Sequence, residues 1–82
     1  MKYSLHDTRE NKYFKYGIQV QGILNFHGVR QWLTQTYGFS EDVNKPIDNP
    51  HWSFHIVYNT YMVYIKGDEE LSWFKVKYGD CV

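Results

Sequence analysis

Three runs in the last third of the chain alternate with period two: HWSFHIVY at 51–58, YMVYIKG at 61–67 and SWFKVKY at 72–78. Period two is the repeat of a half-buried β-strand, so the runs read as an antiparallel meander. Asn59-Thr60 is expected to join the first two strands, since Asn accepts the positive φ of a tight turn. Asp68-Glu69-Glu70-Leu71 is expected to join the next pair. With those loops Ile56 faces Val63, Phe54 faces Ile65, and Phe74, Val76 and Tyr78 carry the same face onward. A one-residue slip would turn every side chain over. No bulge is needed to keep the phase.

Upstream, KYSLHD (2–7) and KYFKYGIQVQ (12–21) also alternate, separated by the polar turn Thr8-Arg9-Glu10-Asn11. Pairing them as a hairpin sets Leu5 opposite Phe14 and Tyr3 opposite Tyr16, on one face with Ile18 and Val20. Asn25 reads as a helix N-cap. Phe26, Val29, Leu33 and Tyr37 follow at helical spacing with Trp32 beside them, and Gly38 suits a C′ position. The spacing predicts a helix over 26–37, and the polar stretch 39–50 reads as a crossover loop. No repeat or second domain is read from the pattern. The expected fold is a single α+β domain over 1–82: a two-layer, five-stranded antiparallel sheet with one helix, ordered ββαβββ. That order looks like a β-grasp variant, which is a topology and not a function.

Eight Tyr, five Phe and three Trp let so short a chain build a core from few side chains. One cysteine, Cys81, leaves no disulfide framework, which fits a reducing compartment. No apolar run approaches a membrane span and the N-terminus has no signal-like segment, so a cytoplasmic location (of a host cell) is expected. The formal net charge of zero hides a segregation, with the acids in turns and strand ends and most lysines in the alternating runs. The phase opposite the core would collect Tyr13, Lys15, His55, Tyr64, Lys66, Trp73, Lys75 and Lys77. In the expected registers Lys66 lies across from Trp73, Tyr64 between His55 and Lys75, and Met62 between Val57 and Lys77. Lysines beside rings suit cation–π contacts, phosphate binding and base stacking, and no carboxylate is placed on that face. These eight residues are the candidate ligand-binding or partner-binding surface.

Catalysis is not expected. His51 and His55 share a strand face. Strand geometry sets them about 13 Å apart, too far to chelate one metal. A small ribonuclease with His55 as general base or acid is the nearest enzymatic reading, but no second histidine is positioned to help. The glycines are too scattered for a phosphate loop. No cofactor or metal is expected. A single short helix would leave sheet surface uncovered, so the linker or a second subunit of a homodimer is expected to cover it.

The stretch Ser72-Trp73-Phe74-Lys75-Val76-Lys77-Tyr78-Gly79 resembles the final strand of small accessory proteins of tailed bacteriophages. The resemblance implies a compact protein made during infection that inhibits or diverts a host or defence protein, and it transfers no catalytic residue. The leading expectation is a stoichiometric, non-enzymatic inhibitor. The alternative is a nucleotide or nucleic-acid binder, including a sponge for a signalling nucleotide, using the lysine–aromatic sheet face.

Overall fold

Two successive ββα units make up the computed structural model, which describes residues 2–7, 13–45 and 50–79. The expected turn at 8–11, part of the 39–50 crossover and Cys81 lie outside the described residues. Strands β1 (Tyr3–Asp7) and β2 (Tyr16–Val20) form a hairpin that leads into helix α1 (Ile23–Tyr37). Strands β3 (Trp52–Val57) and β4 (Thr60–Ile65) form a second hairpin that leads into α2 (Asp68–Tyr78). All neighbours in the four-stranded sheet are antiparallel, in the order β1-β2-β4-β3. The fold is α+β, with four strands and two helices where the alternation pointed to five and one.

The two units are related by a pseudo-two-fold axis through the central β2–β4 pair, near Ile18 and its partner Val63. The sequence carries the same relation. YGIQVQG at 16–22 and YMVYIKG at 61–67 share Tyr, two β-branched residues at alternate positions, and a closing Gly. At one constant offset, Phe26 corresponds to Leu71, Val29 to Phe74 and Leu33 to Tyr78. Gly22 and Gly67 each precede a helix and each accept its first hydrogen bond, from Phe26 and Leu71, both at 3.0 Å. The correspondence covers β2 with α1 and β4 with α2, and β1 and β3 do not keep the same offset.

Residues 72–78 belong to α2 and not to a fifth strand. Asp68, Glu69 and Glu70 occupy its first turn and Lys75 and Lys77 its last, matching the helix dipole at both ends. Gly79 closes it at φ 81°, a left-handed conformation that glycine tolerates. Leu71, Phe74 and Tyr78 follow the i, i+3, i+7 spacing and turn inward. Trp73 and Val76 remain 56% and 76% exposed. Seven alternating residues do not separate a period of two from a helical one.

Both hairpin registers differ from the expected ones, and both keep the core phase. Leu5 pairs with Ile18 and Tyr3 with Val20, a shift of four residues that lengthens the β1–β2 connection. Phe54 pairs with Val63 and Ile56 with Tyr61, so the β3–β4 turn is Tyr58-Asn59. An even shift leaves every side chain on its face. It does move Ile56 to the end of the sheet, where it is 44% exposed and outside the core. Helix α1 starts three residues before the expected point. Asn25 is not its cap but lies in the first turn, its amide donating to the Gln21 carbonyl at 2.9 Å. Gly38 closes α1 as expected, its N–H donating to Thr34.

The core joins Tyr3, Ile18 and Val20 to Trp52, Val63 and Ile65, with Phe26, Val29, Leu33, Leu71 and Phe74 above them. Helix α2 lies on the β1 side: Phe74 meets the Tyr3 ring edge-on at 4.9 Å, and the Tyr3 hydroxyl donates to the Gly79 carbonyl. Helix α1 lies on the β3 side, with Phe26 against Tyr61 and Phe54, and the Trp52 indole N–H donating to the Gly38 carbonyl at 2.9 Å. The helices meet through Trp32, whose ring lies 6.1 Å from Phe74 and 5.7 Å from Tyr78. The second helix thus supplies cover that a one-helix layer lacks. Part of the crossover contributes as well. Ser40 donates to the Trp52 carbonyl, Ser53 donates to Glu41, and Asp42 forms a parallel bridge with Phe54. This strap covers the outer edge of β3 along 52–54, where the strand would otherwise offer unpaired backbone groups. Among the described residues, no helix is long and apolar enough to cross a membrane.

Candidate functional site

The sheet face away from the helices carries two cross-strand rows. Ser4, Gln19, Met62 and His55 form one; His6, Gly17, Tyr64 and Ser53 form the other. In the second row Tyr64 stands between two of the smallest side chains, Gly17 and Ser53, and that leaves room for an aromatic cover. Phe14 fills it: buried although outside the main core, it lies 6.3 Å from the Tyr64 ring. Tyr13 packs edge-on against Phe14 at 4.9 Å and donates through its hydroxyl to the Pro50 carbonyl at 3.2 Å. Burial raises the Tyr64 phenol above its ordinary pKa, with a smaller contribution from Asp42.

This arrangement brings only part of the expected surface together. Tyr13, Tyr64 and Lys66 share a corner, the Lys66 ammonium lying 5.4 Å from the Tyr13 ring centre. Lys15 reaches the same corner through its backbone N–H, bonded to the Lys66 carbonyl at 3.0 Å. Its ammonium turns to Asp68, at 3.2 Å. Asp68 is held below the usual carboxylate range by hydrogen bonds from the Tyr16 hydroxyl first and from Lys15 second. His55 lies one row away, its Nδ1 within 3.3 Å of both Asp42 oxygens and of the Asn44 amide. Trp73, Lys75 and Lys77 are not on this face at all, because α2 carries them on the opposite layer. Tyr64 has Gly17 and Ser53 as neighbours in place of His55 and Lys75, and Met62 has Gln19 and His55. Carboxylates also reach this side, Asp42 beside His55 and Asp68 beside Lys15.

A different surface stands out at the opposite end of the sheet. Ile23, Leu24, Ile56, Val57 and Tyr58 are all large, apolar or aromatic, and exposed. They come from the end of β3, the β3–β4 turn and the first turn of α1. Topology holds these together: α1 begins just after Val20, Val20 pairs with Tyr61, and Tyr61 pairs with Ile56 and packs 5.2 Å from Phe26. Tyr58 is the most exposed of the group, at 95%, and sits at φ 52° in the two-residue turn. It is the one non-glycine with positive φ among the described residues. An aromatic side chain in the left-handed region costs about 1–2 kcal/mol relative to the right-handed one, and glycine is the usual occupant of such turns. Sequence reasoning placed the turn one residue later and so passed over Tyr58. The absence of glycine from a tight turn was the available signal.

A third cluster ties the layers together. His51 Nδ1 lies 3.0 Å from a Glu70 oxygen, and its ring stacks on Tyr37 at 4.8 Å. Burial pushes the Glu70 carboxyl up, but the His51 hydrogen bond, those of the Glu70 and Gly67 backbone, and electrostatic attraction to His51 outweigh it. The net shift is downward. The Gly67 contact is half of a capping box, the third helical residue reaching back to the cap. Compared with protein-family models, curated proteins and solved structures, the chain matches none of them.

Proposed function

We propose that this is a non-enzymatic binding protein that docks stoichiometrically on another protein through its apolar end, with Tyr58 as the anchor. One observation carries the reading: Tyr58 holds a strained backbone in full solvent and adds nothing to the core. Exposed apolar patches of this kind mark interaction sites, and tyrosine is enriched among residues that dominate binding energy. A host or defence protein is the partner class suggested by the phage-type resemblance. That suggestion stands apart from the geometry, since the resemblance is to a strand and residues 72–78 lie in α2, closed by Gly79. The alternative, a nucleotide-binding lysine–aromatic sheet face, loses support because three of its eight residues lie on the other layer and Lys15 is paired with Asp68.

Tyr58→Gly separates fold from function. Glycine relieves the left-handed strain, so the variant gains about 1 kcal/mol in urea unfolding. Quantitative affinity capture from expressing cells, compared with wild type, then loses the stoichiometric partner. A Tyr58→Gly protein that captures the same protein at the same level refutes the docking surface.

A further inference from the structure

A groove lies between the two helices. Gly28, Gln31, Trp32 and Gln35 on α1 and Lys77 and Tyr78 on α2 line an open groove of about 400 Å³. The four α1 residues recur at helical spacing and share one face. Gly28 is in the interior of α1, where glycine weakens a helix. Packing does not demand it, because a Cβ built there meets nothing within 4 Å. What a side chain at 28 would fill is the groove itself.

The groove wall presents exposed polar side chains, Gln31, Gln35 and Lys77. Among the described residues, the Gln31 and Gln35 carboxamides, the Trp32 indole N–H and the Lys77 ammonium make no hydrogen bond or ion pair. Among the described residues, no carboxylate lines the space. Each carboxamide offers both donors and an acceptor, the combination that reads the edge of a heterocyclic base. Trp32 and Tyr78 supply aromatic surface, and a single ammonium suits one phosphate. The groove is open to solvent, so a ligand would lie against its wall and not inside a closed cavity. The chain's neutral formal charge and the lone lysine argue against a polynucleotide.

We infer that the α1–α2 groove binds a nucleoside monophosphate, with Gln31 and Gln35 on the base edge, Trp32 and Tyr78 against its ring and Lys77 on the phosphate. The test follows the Trp32 indole N–H by NMR, assigned with Trp32→Phe, during titration with each of the four common ribonucleoside 5′-monophosphates. Expected is saturable binding of at least one, with a Kd below about 1 mM, weakened at least about tenfold in Lys77→Ala. Inorganic phosphate alone and the unphosphorylated nucleoside bind at least about tenfold more weakly. Gly28→Leu raises the thermal midpoint by a few degrees through helix propensity and abolishes binding. The inference is overturned if none of the nucleotides shifts the resonance or if phosphate alone titrates equally well. Wild-type affinity in either Lys77→Ala or folded Gly28→Leu overturns it too.

Discussion

Replacing Val76 by alanine has opposite consequences for a strand and for a helix. In the alternating strand Val76 would be core, and its truncation would cost about 2 kcal/mol. In α2 it is exposed, and alanine is the better helix former by about 0.5 kcal/mol. The expected result is therefore a small gain in stability. Phe74→Ala is the matched control. Phe74 is fully buried, with rings of Tyr3 and Tyr78 at 4.9 Å and of Trp32 at 6.1 Å. Losing such a side chain costs about 3–5 kcal/mol. At about 0.05–0.15 kcal/mol per residue, a chain of 82 has about 4–12 kcal/mol in total. Phe74→Leu, costing less than Phe74→Ala, keeps the comparison in range if the alanine variant unfolds. Urea unfolding followed by tryptophan fluorescence measures all three at constant m. A Val76→Ala loss above about 1 kcal/mol refutes the helical assignment of 68–78.

Val63 is fully buried at the central β2–β4 pair, so Val63→Ala costs about 2 kcal/mol. Ile56→Ala, at the exposed sheet end, costs under about 1 kcal/mol. Equal losses in urea refute the β3–β4 register. The lowered carboxyl of Glu70 gives a signed pH effect. Its stabilisation is present above the unfolded-state value of about 4.3 and is lost as pH falls through the lower folded value. The thermal-midpoint difference between wild type and Glu70→Gln is therefore fully present above about pH 5 and shrinks below about pH 4; a difference that is constant across that range refutes the lowered Glu70 carboxyl. Sedimentation velocity at micromolar concentration should show a monomer, since two helices cover the core face. A reversible dimer abolished by Tyr58→Gly would make a second copy the partner of the apolar end.

The face of each strand was legible from period two alone, because burial of one face constrains parity. Register was less so: the polar residues 8–11 offered a short turn, and nothing local revealed that Phe14 leaves the strand phase to cover Tyr64. Helix α1 was visible through Phe26, Val29 and Leu33, all buried. Helix α2 was hidden by Trp73, Lys75 and Lys77, whose alternation also fits a helix. Its acidic first turn, basic last turn and Gly79 were nonetheless readable end signals. The lysine–aromatic surface requires a strand at 72–78, and with α2 there its residues divide between the two layers. Tyr58 depends on the turn register, for which the missing glycine was the one signal, and the α1–α2 groove exists only once α2 does.

The pseudo-two-fold axis also has a kinetic consequence. Within each ββα unit, the hairpin and the following helix join neighbouring segments, so these contacts close small loops. β2 and β4 instead join parts of the chain far apart in sequence. Short hairpins close in microseconds, while pairings across long separations are slower because their loop entropy must be overcome first. Folding should therefore proceed as two nearly equivalent halves that meet once, at the seam where Ile18 faces Val63. A defect at that seam would slow folding more than an equal loss inside either hairpin, because it removes the contact through which the halves find each other.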